Sequence, residues 1–68
     1  MSIHTRLRYA RELGGISARG LARLAGLASE GHVSLIEKGE SHPHAETLAL
    51  LASALGVSLD WLVQGKGA

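Results

Sequence analysis

Between Ile16 and Gly39 the chain reads ISARGLARLAGLASEGHVSLIEKG, and this stretch limits the fold more than any other. Ser17 precedes a short apolar-periodic run that holds Leu21 and Ala22, and Gly26 interrupts the period. A second serine, Ser29, opens another run with Val33 and Ile36, which stops at Gly39. Neither run is long enough to persist as an isolated helix in water. Two short helices joined by a glycine-containing turn are the signature of a helix-turn-helix, predicted here over about residues 18–38. The second helix of such a unit usually lies in the DNA major groove.

The rest of the chain supplies what those helices pack on. Ile3, Leu7 and Ala10 define one face of a first helix from Ile3 to Leu13, with Gly14-Gly15 as its stop. The second helix spans Ala18 to Ala25 behind Ser17 as N-cap, and buries Leu21, Ala22 and either Leu24 or Ala25. Gly20 inside it costs ~1 kcal/mol relative to alanine, so packing must hold this helix. The third begins after Ser29 and ends near Lys38, with Gly39 as C-cap. In the fourth, Ala45, Leu48, Ala49, Leu51, Ala52 and Leu55 form one apolar stripe, closed by Gly56. Ser58 caps a fifth, Leu59 to Val63, and residues 65–68 read as a frayed tail. Only 3% of residues are aromatic against 46% hydrophobic, so Leu, Ala, Ile and Val must fill the core. The predicted class is all-α, five helices in one domain over residues 1–68.

Several functions are disfavoured. The absence of cysteine excludes disulfides and thiolate metal sites, and fits a reducing, cytoplasmic setting. No apolar run approaches the ~18 residues of a membrane span, and Met1-Ser2-Ile3-His4 does not read as a signal peptide. His32, His42 and His44 fall within a short span, but His-Pro-His lacks the i, i+4 geometry of common zinc sites, so no metal is expected. Nothing resembles a nucleophile elbow, a carboxylate pair or a phosphate-cradling loop, so no enzyme, cofactor or small-molecule substrate is expected. Net charge is +1 but uneven. Residues 1–28 carry five arginines against one glutamate, net +4, and residues 29–68 carry two lysines against five acids, net −3. This asymmetry permits a basic face.

The pattern Ile16-Ser17, Leu21-Ala22, Gly26, Val33-Ser34, Glu37 and Gly39 resembles the core motif of the lambdoid phage repressor and Cro family. The stretch from Leu51 to Leu62, LASALGVSLDWL, resembles that family's fourth and fifth helices. The resemblance covers about Ile3 to Gly65 and implies a five-helix domain that binds double-stranded DNA as a transcriptional regulator, expected to be a repressor. It also implies an ion pair between Arg11 and Glu37 that orients the recognition helix, and a homodimer on a two-fold site. Leu59 and Val63 are the candidate dimer residues, while Trp61 is read as core.

The contact positions depart from the family's pattern. Ala18 stands where members often carry a glutamine that touches phosphate and braces the recognition helix. From Gly26 to Val33 there are seven steps where the family usually has six, which would shift how the third helix enters the groove. The candidate DNA-binding set is Arg19, Ser29, Glu30, Gly31, His32, Ser34, Lys38, Ser41 and His42. Of these, Arg19, Lys38, Ser41 and His42 are candidates for phosphate, and Glu30, His32 and Ser34 for base edges. Glu30 would be repelled by phosphate, yet a carboxylate can accept from a cytosine amino group. Ala18, Glu30, Gly31 and the low net charge favour one alternative, a scaffold for protein–protein contact; the other is an antitoxin-like regulator that binds DNA and a toxin partner.

Overall fold

The computed structural model describes residues 1–67; Ala68, assigned above to the tail, lies outside the described residues. Five helices follow one another: α1 (Ile3–Leu13), α2 (Ala18–Ala25), α3 (Glu30–Glu37), α4 (Ala45–Leu55) and α5 (Leu59–Gln64). Among the described residues no helix is long and apolar enough to cross a membrane. Every helix contributes to one core through Leu7, Leu21, Val33, Ile36, Leu51 and Leu62, all fully buried. Each such side chain stabilises the fold by about 1.5–3 kcal/mol. Ala22, Ala25 and Ala52 let α2 approach its neighbours closely.

Serine caps set the starts of four helices, whereas α4 begins behind His44 without a side-chain cap. The hydroxyls of Ser17, Ser29 and Ser58 accept from the backbone N–H groups of Gly20, Gly31 and Trp61 at 2.9, 3.2 and 3.0 Å. Ser2 caps α1 in the same way. A Cβ on Gly20 would lie 3.2 Å from the capping Oγ of Ser17 and 3.3 Å from Ile16, so glycine keeps the cap uncrowded. At the other end of α2, Gly26 takes φ +74° and Leu27 N–H donates to the Ala22 carbonyl at 2.8 Å. This six-residue closure satisfies orphan carbonyls of the last turn.

The longer turn leaves the registration of α3 on the core intact. Leu27 packs against the core, Ala28 is exposed outside any helix, and Ser29 starts α3 so that Val33 and Ile36 face inward. Leu27 and Ala28 lie between the cap of α2 at Gly26 and the cap of α3 at Ser29. Because a Cβ on Gly26 would meet no atom within 4 Å, Gly26→Ala reports backbone strain alone. It is expected to lower the unfolding free energy by about 1–2 kcal/mol in urea denaturation. An unchanged midpoint would show that the turn relaxes out of the left-handed region.

Some details differ from expectation. α3 ends at Glu37, with Lys38 as its cap and Gly39 at φ +78°, and α5 runs one residue further, to Gln64. Ala45 and Ala49 are exposed, so the buried face of α4 is narrower than its apolar stripe. Leu24 is exposed and Ala25 is buried. Trp61 is half-buried and packs against the core.

The largest departure is Arg6, counted above among the basic residues of the N-terminal half. Only 8% of it is exposed. Its Nε donates to the Leu62 carbonyl at 2.9 Å, Nη2 to the Val63 carbonyl at 2.8 Å, and Nη1 to the Met1 carbonyl. The guanidinium thus closes the C-terminal turn of α5, where the helix dipole favours a cation.

Candidate nucleic-acid interface

Burial on one side fixes what α3 presents on the other. Val33 and Ile36 sink into the core, so Glu30, Ser34 and Lys38 line up at four-residue intervals towards the outside. Gly31 and Leu35 form a second outer row, both exposed. His32 shares its row with Ile36 and is half-buried at the edge. Eight residues at ~1.5 Å each give a helix of about 12 Å, comparable with the width of a major groove.

Three side-chain contacts hold α3 from outside. Arg11 of α1 grips Glu37 with two donors, Nε to Oε2 at 2.6 Å and Nη2 to Oε1 at 3.0 Å. Its Nη1 donates to the Ile16 carbonyl at 2.9 Å, tying the α1–α2 loop into the same cluster. The hydrogen bonds to Glu37 raise the Arg11 pKa further above its ordinary value, against a smaller opposing effect of burial. Second, His4 Nδ1–H donates to the Ile36 carbonyl at 2.8 Å, meeting the negative end of α3.

The third contact crosses the helix-turn-helix. Arg19 Nε and Nη2 donate to the two carboxylate oxygens of Glu30, the second at 3.3 Å. Both side chains are well exposed. The Arg19 hydrogen bonds, then its charge and that of Arg23, hold the Glu30 carboxyl below the usual carboxylate range. The turn thus brings Arg19 a partner eleven positions away, which offsets the unfavourable position of a cation in the first turn of α2.

The remaining candidates lie around this frame. Ser29 spends its hydroxyl on the cap of α3. Lys38 is exposed at the end of α3, and the loop beyond it carries half-buried Ser41 and exposed His42. The His42 ring lies 6.0 Å from that of His4, tilted by 54°. On α5, Leu59 and Val63 are exposed at 41% and 40%.

The basic half of the chain is less free than its charge suggests. Arg6 is buried, Arg8 pairs with Glu12, and Arg11 and Arg19 have the partners just described. Of the five arginines only Arg23 is exposed without an ion-pair partner among the described residues. Its spacing of four from Arg19 puts the two on a shared face of α2, a signal present in the sequence. Leu35 was missed as well, although its spacing of four from Gly31 puts it on the outer face of α3.

A family model described as helix-turn-helix matches residues 7–62. No curated protein matches by sequence. Among solved structures, the P22 c2 repressor in complex with a synthetic operator is similar at 30% identity and TM-score 0.89, covering 97% of this chain and 98% of that one. The restriction-modification controller protein C.AhdI from Aeromonas hydrophila is 32% identical with TM-score 0.85, covering 88% of this chain and 89% of its own. The DNA-binding domain of the P22 c2 repressor in solution is 29% identical with TM-score 0.90, over the whole of this chain and 88% of that one. The chain therefore belongs to the helix-turn-helix family, in its phage repressor and Cro form.

Proposed function

We propose that this chain regulates transcription by binding duplex DNA in a sequence-specific way, with α3 in the major groove. The observation that carries this reading is the outward row of Glu30, Ser34 and Lys38 on a helix fixed by Arg11, His4 and Arg19. A surface so firmly held suits recognition of a rigid partner. The likeness to a repressor bound to operator DNA supports it. Glu30, Gly31, Ser34 and Leu35 face base edges, with His32 at the margin. Arg19, Arg23, Lys38, Ser41 and His42 face phosphates, and Ser29 acts by setting the start of α3. Two copies joined through Leu59 and Val63 would address half-sites one helical turn apart, which compensates for the few base contacts of one small domain.

A second reading, protein–protein contact through the same fold, is favoured by an apolar cleft of about 400 Å³ between α1 and α5. Tyr9, Leu13, Leu55, Val57 and Trp61 line it.

Selection from a random duplex pool separates the two. The winner and a scrambled duplex are then titrated by fluorescence anisotropy at two salt concentrations. A near-palindromic winner, bound on the order of a thousandfold more tightly than the scramble, is the expected result. Absence of both enrichment and salt-dependent binding would leave protein contact as the function.

A further inference from the structure

The Arg19–Glu30 pair joins the second residue of α2 to the first residue of α3, across the turn that positions the recognition helix. A bare carboxylate there would face the phosphates of any duplex and be repelled. Gripped by a guanidinium with two donors, it brings no net charge to the DNA. Each Glu30 oxygen takes one hydrogen bond from Arg19 and keeps a lone pair free. Arg19 Nη1 has no acceptor among the described residues. The pair is 67% and 49% exposed, so both groups remain available.

A carboxylate only accepts, so it needs a donor on a base edge. In the major groove guanine presents N7 and O6 and thymine presents O4, all acceptors. Adenine offers its N6 amino group beside the acceptor N7, whereas cytosine offers its N4 amino group alone. Cytosine is the base with no acceptor to repel the second oxygen.

Resting on the DNA-binding reading above, we propose that Arg19 and Glu30 act as one recognition unit. Glu30 accepts a hydrogen bond from the exocyclic amino group of a cytosine. Arg19 orients and neutralises that carboxylate while its free Nη1 reaches a phosphate. Arg19 is then a positioning residue, and Glu30 sets specificity at one base pair of the half-site. The pair also supplies, from the neighbouring position, a brace for α3 that Ala18 cannot provide.

The test uses the selected duplex and variants with each of the four base pairs at every half-site position, titrated by anisotropy. Wild-type protein is expected to prefer cytosine about tenfold at one position. Glu30→Ala should flatten that preference and leave the other positions unchanged. Glu30→Gln should move it to adenine, which a glutamine pairs with through N6 and N7. Arg19→Ala should weaken the same preference, and Arg19→Lys should restore part of it. Two results would overturn the proposal: equal tightening on all duplexes by Glu30→Gln, which makes the carboxylate a mere repellent, or a cytosine preference unchanged in Arg19→Ala. A wild-type protein that selects no duplex at all sinks the DNA-binding reading itself, and this unit with it.

Discussion

Arg6→Ala is expected to lower the unfolding free energy by about 3 kcal/mol, measured by equilibrium urea denaturation at neutral pH. The guanidinium serves three carbonyls, of Met1, Leu62 and Val63, from a buried position. Truncation removes all three donors, leaves the buried Leu62 carbonyl unpaired and takes away the packed stem as well. A domain of this length has a total stability of roughly 3–10 kcal/mol, so the loss is a large share of it. Melting should fall on the order of 15 °C. Arg6→Lys should retain only part of the stability, because an ammonium lacks the planar fork that reaches two successive carbonyls. A loss below about 1 kcal/mol for the alanine variant would mean that water replaces the donors and that the contact is dispensable.

Glu37→Ala should cost about 2–3 kcal/mol and weaken DNA binding beyond that loss of stability. Arg11 and Glu37 side chains are only 15% and 8% exposed, so removing the acid strands a desolvated guanidinium. The discount from a fully buried pair reflects the water that still reaches Arg11. A double variant, Arg11→Met with Glu37→Leu, should recover most of the stability, since apolar replacement spares both desolvation costs. It should not recover DNA affinity if the pair sets the tilt of α3. Recovery of both would reduce the pair to packing. On the arginine side the pair brings no pH dependence near neutrality. Raised in the folded state, the Arg11 pKa contributes stability that is fully present below the ordinary arginine range and is lost only as pH rises beyond it.

What the sequence disclosed was local. Ser17, Ser29 and Ser58 cap where a serine before an apolar run should cap, and the α2–α3 turn bends at Gly26. Periodicity found Leu7, Leu21, Val33, Ile36 and Leu51 because one side of each helix must leave water. It overreached at Ala45 and Ala49, since a methyl group gains too little from burial to show which side of a stripe it lies on. Arg6 was illegible for a different reason. Its partners are backbone carbonyls, two of them at a helix end more than fifty positions away, and carbonyls leave no mark in a sequence. Glu30 and Arg19 looked like separate charges, one unfavourable beside DNA and one unfavourable in its helix. Only the closed turn makes them a pair.

The Arg6 contact also has a consequence in time. It links Met1 to Leu62 and Val63, so forming it closes a ring of almost the entire chain, whereas packing α2 on α3 closes a few residues. Closure entropy grows with loop length and must be met before the contact gives anything back. Arg6 is therefore expected to lock late, so that Arg6→Ala should speed unfolding more than it slows refolding in stopped-flow measurements. The same contact that adds little to the speed of folding would then lengthen the time the folded domain survives, by clasping α5 to the start of α1.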